Sequence, residues 1–259
     1  MSAAASAPPA RLHGAGASYQ AIPQSDEALL RGEVDADDFK FGVTVEQSAP
    51  EIRAMFIRKV YTILFLQILG TTVVAGAMTT ANLSAWIQQH AWLIFIPMLG
   101  SFVSLGLVYW KRHAHPANLF MLGLFTAAEA LTLGCLVTFM DQVAVLKALA
   151  LTTFIFLGLT LFTFQTQYDL SSLGTYLYWG LLLLVGTGLL QMFFPYSHAF
   201  ELGYSVAGCV VFSGYILYDT YLLQRQLSSE DWVLANVSLY LDVVNLFISL
   251  LRLMNSSDD

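Results

Sequence analysis

The hydrophobic pattern of this chain is a succession of long apolar stretches, beginning near residue 57 and separated by short polar segments. An α-helix rises about 1.5 Å per residue, so about 20 apolar residues cross the roughly 30 Å of a bilayer's hydrocarbon. The stretches are continuous, whereas a transmembrane β-barrel needs alternating strands of about 10 residues. The pattern therefore predicts an all-α membrane protein with seven transmembrane helices, at 60–78, 91–110, 117–140, 143–164, 174–194, 200–223 and 232–254.

The N-terminal segment has a different character from the rest of the chain. Residues 1–56 hold eight acidic and four basic residues, and their first part is rich in Ala, Pro, Gly and Ser. Such a segment buries too little apolar surface to offset the entropy of ordering it. We expect residues 1–45 to form a disordered, acidic cytosolic tail and residues 46–259 to form the transmembrane domain. No charged region followed by an apolar core precedes the first span, so no cleavable signal peptide is predicted.

Composition narrows the class of protein further. Hydrophobic residues make up 57% of the chain and charged residues 11%, against about 25% charged residues in an ordinary soluble domain. A soluble globular protein is therefore excluded, and the lipid bilayer is the predicted environment. The net charge of −7 and the lack of a Lys/Arg-rich run argue against nucleic-acid binding. Two cysteines within apolar runs provide neither a disulfide framework nor a cysteine-based zinc site.

The basic residues near the span ends predict the orientation, because cytosolic loops carry an excess of Lys and Arg. With the N-terminus in the cytosol, two basic residues lie outside, Lys147 and Arg252. Six lie inside: Arg53, Arg58, Lys59, Lys111, Arg112 and Arg225. An odd number of spans then places the C-terminus on the opposite side, whereas a re-entrant last segment would return it to the cytosol.

Three acidic residues lie within the predicted spans, where a charge costs about 2.5 to 3.5 kcal/mol even on insertion scales. Asp219 lies in YILYDTYLL near the inner end of the sixth span, and Asp242 lies in LYLDVVNLF in the inner half of the seventh. The two spans are consecutive and joined by a short polar loop, so the two carboxyls can reach a similar depth. Glu129 lies in the middle of the third span.

Two carboxyls within hydrogen-bonding reach share one proton and titrate as a coupled pair, which makes Asp219 and Asp242 a candidate pH sensor. Fully ionised, the same pair offers hard oxygen ligands that suit transient binding of calcium. Arg112, at the inner end of the second span, either bonds to an inner-half carboxylate or only sets the topology. The alternative for the aspartates is that each only anchors its helix through a nearby hydroxyl: Thr220, Tyr218 or Ser238.

Glu129 is flanked by Thr126 and Thr132, three residues away on either side and on roughly the same helix face. The three residues form a polar stripe at mid-membrane. Two interpretations remain open at this stage: Glu129 lines an ion pathway, or it is a protonated acid bonded to a neighbouring helix.

Several blocks of the sequence resemble the transmembrane Bax inhibitor motif family, in its eukaryotic Lifeguard branch. They are IRAMFIRKVYTILFLQ at 52–67, FTAAEALTLG in the third span, and YILYDTYLL with LYLDVVNLFISLLRLM in the last two spans, so the resemblance covers about residues 50–256. It implies a seven-helix fold in which a central last helix is wrapped by the others. The family's paired aspartates fall on Asp219 and Asp242, its basic residue after the second helix on Arg112, and its third-helix acid on Glu129.

Family members are described as pH-sensitive calcium leak channels and as cytoprotective proteins of internal membranes. The resemblance therefore implies a calcium-permeable leak in the endoplasmic reticulum, Golgi or vacuole, gated by the coupled aspartates, with calcium as the permeant ion and no cofactor. Such a protein is not an enzyme and contributes to calcium homeostasis and to the regulation of cell death.

Three alternative functions remain. The first is a non-conducting regulator that binds Bcl-family or other membrane proteins. The second is an intramembrane aspartyl protease, since two aspartates sharing a proton can activate water, although the second motif reads LYLD here and not GxGD. The third is a proton-coupled transporter, for which no internal repeat argues.

Overall fold

The computed structural model describes residues 50–191, 193, 197–228 and 231–257, and this part of the chain contains helices and no strand. The predicted tail at 1–45 lies outside the described residues. The helices are α1 (Pro50–Met78), α2 (Ala81–Gln89), a 3-10 turn (Ala91–Ile94), α3 (Phe95–Lys111), α4 (Ala117–Val137), α5 (Gln142–Gln165), α6 (Leu173–Gln191), α7 (His198–Arg225) and α8 (Trp232–Ser257).

Within the described residues, seven helical segments are long and apolar enough to cross a membrane, which confirms the predicted all-α class and the seven spans. The second of them joins the 3-10 turn to α3. Two features differ from the sequence prediction. The helix α1 begins at Pro50, ten residues before the predicted span at 60–78, because charged residues such as Arg and Lys favour helix outside the apolar core as well. The helix α2 was not predicted, since nine residues of mixed polarity are too few to register as a span.

The last helix, α8, is the centre of the bundle, as the family resemblance implies. Of the residues in its membrane span 72% are buried, against 44% or fewer in each of the other six. It packs against α7, α5 and α1, and Val233, Leu239, Tyr240, Leu246 and Leu251 are completely buried. The side of the helix that carries Ser238 and Leu241 is less buried.

The outer helices differ in how firmly they are held. The helix α3 packs chiefly against α4, which in turn packs against α1, whereas α6 packs chiefly against α7. Two glycines allow the close approach of α6 and α7, because a Cβ on Gly174 would overlap the ring of Tyr218 and one on Gly180 would crowd Val211. The first turn of α6 thereby covers the part of α7 that carries Asp219.

Long-range contacts identify the two ends of the bundle. At the end where α1 begins, here called the basic end, the Lys59 ammonium lies 3.8 Å from the centre of the Trp232 ring. At the opposite end, here called the far end, the backbone N–H of Asp141 donates to Asn255 Oδ1 over 3.4 Å. There the short helix α2 is fixed by Gln88, whose Nε2 donates to the carbonyl of Thr138.

Candidate functional site

The carboxyls of Asp219 and Asp242 are hydrogen-bonded to each other between α7 and α8. The Ser238 hydroxyl, one turn before Asp242 on the same helix face, donates to Asp219. An ionised carboxylate only accepts hydrogen bonds, so a bond between two carboxyls requires that one of them carries a proton. The two aspartates, here called the carboxyl pair, interact directly with each other across the contact between α7 and α8.

Asp242 is 7% exposed, and its Oδ2 atom is buried with no hydrogen-bond partner in the described part of the chain. An unsatisfied acceptor in such a position favours the binding of a proton or a hard cation. Two carboxylates supply up to four oxygens, fewer than the six to eight that calcium takes in a tight site. The described residues hold no cluster of three or more His, Cys, Asp or Glu side chains. The chemistry of the pair therefore suits transient binding of a cation better than tight binding.

A tyrosine of α7 lies near the carboxyl pair. Tyr215 interacts electrostatically with both carboxyls and also with Tyr218 and Tyr178. Among the described residues, no basic side chain interacts appreciably with either carboxyl. The environment of the pair is therefore one of phenol and alcohol groups, which stabilise the protonated pair without neutralising a second negative charge.

Two of the hydroxyls proposed as anchors of the aspartates, those of Ser238 and Thr220, make contacts between helices. Ser238 does contact Asp219, but from the neighbouring helix, so its bond joins α8 to α7. Thr220 instead shares a 3.3 Å hydrogen bond with the Tyr61 hydroxyl and so joins α7 to α1. The aspartates are thus part of an interhelical network and do more than anchor their own helices.

Arg112 is not brought to the carboxyl pair in this structure. Its Nε donates to Nε2 of His113 over 2.9 Å, and its guanidinium lies 4.9 Å from the centre of the Tyr109 ring. The reason is the packing of α3, which lies chiefly against α4 and away from α7 and α8.

Glu129 lies half-buried on α4 close to Ser101 of α3, whose hydroxyl donates to the carbonyl of Met98 over 2.9 Å. It is also close enough to Tyr240 of the central helix to interact with it electrostatically. Thr132 donates to the carbonyl of Ala128 within its own helix. Ser101 and Tyr240 are therefore the groups of neighbouring helices that lie near the Glu129 carboxyl.

Around Glu129 the structure adds polar groups of other helices to the polar stripe predicted from the sequence. The hydroxyls of Thr71 and Tyr240 are 2.8 Å apart, and Gln67 Nε2 donates to Thr126 Oγ1 over 2.6 Å. Oε1 of Gln67 is buried without a partner among the described residues. Together with Glu129 and Ser101 these residues form the mid-membrane polar layer: Gln67, Thr71, Ser101, Thr126, Glu129 and Tyr240. Uncharged polar residues barely change the hydropathy of a span, but the i, i+4 spacing of Gln67 and Thr71 on one face was a usable signal.

The fold and the carboxyl pair define a multi-pass membrane protein with a buried acidic site beside its central helix. Comparison with known proteins identifies the family. Residues 53–259 match the family model described as "Inhibitor of apoptosis-promoting Bax1". The chain is 41% identical over 239 residues to Protein lifeguard 4 of Mus musculus, covering 91% of this chain and 98% of the mouse protein.

Two further relatives agree. The Golgi anti-apoptotic protein of Vaccinia virus (strain Lister) is 42% identical over 223 residues, or 86% of this chain and 94% of the viral protein. Bax inhibitor 1 of Schizosaccharomyces pombe is 35% identical over 255 residues, or 92% of this chain and 96% of the yeast protein. The chain belongs to the Bax inhibitor/Lifeguard family, which confirms the resemblance noted in the sequence. Members of this family are implicated in anti-apoptotic regulation.

Proposed function

We propose that this protein is a calcium-permeable leak of an intracellular membrane whose conductance responds to pH through Asp219 and Asp242, with a role in calcium homeostasis and the regulation of cell death. The observation that supports the proposal is the direct contact between the carboxyls of half-buried Asp219 and buried Asp242. A shared proton holds α7 against the central helix. Loss of that proton leaves two adjacent negative charges, which repel each other and can bind a cation.

Glu129 is the second acidic site along the proposed ion pathway. An acid at membrane depth is retained at a cost, and acids that face a bundle interior commonly mark ion pathways. Glu129 points toward the central helix, where Tyr240 and the rest of the mid-membrane polar layer provide oxygen atoms. Arg112 is left out of the proposed gate because its guanidinium contacts Tyr109 and His113.

The test is a flux measurement in proteoliposomes loaded with a calcium dye, over a series of pH values. Asp219→Asn and Asp242→Asn should each change the flux and flatten its dependence on pH. Asp231→Asn is the matched control, since Asp231 lies in the α7–α8 connection outside both helices. Flux and pH dependence that are unchanged in both pair variants would contradict the proposal.

A second candidate is a non-conducting regulator that binds Bcl-family or other death-pathway proteins in the membrane. The viral relative is named as an anti-apoptotic protein of the Golgi, which favours this class of function and an internal membrane. Deleting residues 1–45 separates the two candidates. A leak keeps its conductance after the deletion, whereas a regulator that recruits partners through this segment loses them.

We infer that the carboxyl pair binds protons and cations and does not hydrolyse peptides. The sequence around the second aspartate, LYLD, lacks the glycines of the GxGD motif. Cleavage of a test transmembrane substrate by the purified protein, lost in both Asp219→Asn and Asp242→Asn, would overturn this inference. The cytosolic N-terminus expected from the basic residues is tested separately, by protease access to an N-terminal tag in sealed microsomes.

A further inference from the structure

A groove of about 690 Å³ lies between α1 and α5, with the central helix α8 as its floor. The helices α1 and α5 do not pack extensively against each other, although each packs against α8. The groove extends from Tyr61 of α1 to Thr79, the residue that follows this helix. A separation of 18 residues corresponds to about 27 Å of helix, which is close to the thickness of the hydrocarbon layer. Its volume falls within the roughly 300 to 1,000 Å³ typical of small-molecule sites.

The walls of the groove continue directly into the lipid-facing surface. Side chains on both walls are strongly exposed: Phe65 by 63%, Leu69 by 48%, Leu146 by 66% and Leu157 by 53%. The floor differs, because Val243, Val244 and Phe247 of α8 are 6 to 7% exposed. A molecule that fills the groove from the bilayer therefore touches the central helix, whereas a lipid lying on the outer surface of the bundle does not.

The polar groups of the lining are almost all satisfied within the protein, so the groove presents an apolar surface. The Tyr240 and Thr71 hydroxyls bond to each other. The remaining threonine hydroxyls donate to carbonyls of their own helices: Thr72 to Ile68, Thr79 to Gly76, Thr152 to Ala148 and Thr153 to Leu149. A polar ligand would find few free partners here, which favours a hydrocarbon occupant.

We propose that the groove between α1 and α5 is a lipid site that holds an acyl chain of a membrane phospholipid against the central helix. The chain enters sideways from the bilayer, between the exposed walls, and packs on Val243, Val244 and Phe247. This site is distinct from the carboxyl pair and does not depend on the proposed leak function.

The position of the groove gives the lipid a means to influence the carboxyl pair. Successive residues of a helix are turned by about 100°. Asp242 is two residues from both Tyr240 and Val244, so it is turned about 160° from each of these groove residues. The acyl chain therefore supports the side of α8 that lies opposite the pair. This coupling, unlike the binding itself, rests on the proposed function.

Binding is tested by photo-cross-linking in nanodiscs that contain phosphatidylcholine with a diazirine on one acyl chain. The site predicts cross-links on Val243, Val244 and Phe247, found by mass spectrometry of the digested protein. Gly76→Trp fills the groove, because a side chain at Gly76 meets no atom within 4 Å. Gly70→Trp is the matched control on the same helix, with equally open space and no place in the groove lining.

Gly76→Trp should reduce cross-linking to the floor residues about fivefold or more, since an indole occupies the space of several methylene groups, while Gly70→Trp leaves it unchanged. Cross-links confined to exposed residues such as Leu183, or equal floor cross-linking in both variants, would overturn the proposal. If Gly76→Trp elutes as an aggregate, Val145→Trp on the opposite wall takes its place.

Calcium flux is measured on the same samples as a separate readout. Altered flux in Gly76→Trp but not in Gly70→Trp supports coupling to the carboxyl pair. If Gly76→Trp loses the cross-links to the floor residues and no sample shows calcium flux, the result supports the lipid site and contradicts the proposed leak.

Discussion

The hydroxyl of Tyr221 donates a 2.7 Å hydrogen bond to the carboxylate of Asp169, which joins the segment between α5 and α6 to the basic end of α7. Asp169 lies outside the membrane spans, two residues before Ser171, whose backbone N–H donates to the same carboxylate over 2.9 Å. Tyr221 lies two residues along α7 from Asp219. The contact therefore holds the segment between α5 and α6 next to the carboxyl pair.

The pKa of Asp169 is lowered from its ordinary value of 3.8, first by the backbone N–H of Ser171 and then by the Tyr221 hydroxyl, with a contribution from Arg225. A lowered pKa in the folded state means that the contact stabilises the fold above the ordinary pKa and is lost as the pH falls through the lowered value. Tyr221→Phe should therefore speed amide exchange in residues 166–172 near neutral pH. After correction for intrinsic rates, the difference from wild type should shrink as the pH falls below the ordinary value of 3.8, because the carboxylate becomes protonated in the folded state too.

Tyr168→Phe is the control for this prediction, because Tyr168 lies in the same segment and its side chain is 76% exposed. Exchange rates that are identical in Tyr221→Phe and wild type at neutral pH would show that the bond does not hold the segment.

The bond between Tyr240 and Thr71 should contribute measurably to stability, because both residues are buried. Removing one partner leaves the other hydroxyl unsatisfied, at a cost of about 1 to 3 kcal/mol. Tyr240→Phe should lower the free energy of unfolding by about this amount in mixed micelles. The double variant with Thr71→Val should recover part of the loss, whereas strictly additive costs would argue against the bond. Tyr176→Phe, at a residue 74% exposed, is the control.

Glu129→Gln tests whether Glu129 is part of the proposed ion pathway. The amide keeps a hydrogen-bonding group next to Ser101 but cannot carry a negative charge, so it stabilises a passing cation less. The calcium flux should fall about tenfold without loss of folded protein, in keeping with the cost of an uncompensated charge at membrane depth. Glu201→Gln, at an exposed position in the first turn of α7, should leave the flux unchanged. Equal fluxes in the two variants would remove Glu129 from the pathway.

The central position of α8 predicts where replacing a large side chain with alanine destabilises the protein most. Leu246 is completely buried on α8, and Leu183 on α6 is 71% exposed. Leu246→Ala should destabilise the protein by about 2 kcal/mol or more, because it leaves a cavity that the packed bundle cannot close. Leu183→Ala, which faces lipid, should cost little. The comparison uses unfolding in mixed micelles, and equal losses would contradict the central placement of α8.

Hydropathy predicted the spans of this protein well because the bilayer imposes a minimum length on every crossing helix. It placed the start of α1 ten residues late, at 60 instead of Pro50, since hydropathy reports the depth of the membrane and not the extent of a helix. It also missed α2, which is too short to cross a bilayer. The family resemblance, and not the hydropathy, identified α8 as the central helix.

The acids of the candidate site were evident from the sequence, because charge within an apolar span is rare and costly. The sequence also suggested that Asp219 and Asp242 meet, and it named Ser238 as a nearby hydroxyl. It did not indicate that Ser101 lies near Glu129. Nor did it indicate that Arg112 contacts Tyr109 and His113, which follows from the packing of α3 against α4. Which side chains meet across helices depends on the packing of the bundle, and a local pattern does not contain that information.

The slight attachment of α6 bears on how the protein is assembled. Within the described chain its only extensive contact is with α7, and just 11% of the residues in its span are buried. Helices that are already stable in the bilayer associate afterwards, through close packing of small residues. We therefore expect α6 to dock last, through Gly174 and Gly180, onto a bundle that is otherwise complete. It should also be the first helix to detach as the protein unfolds within the bilayer.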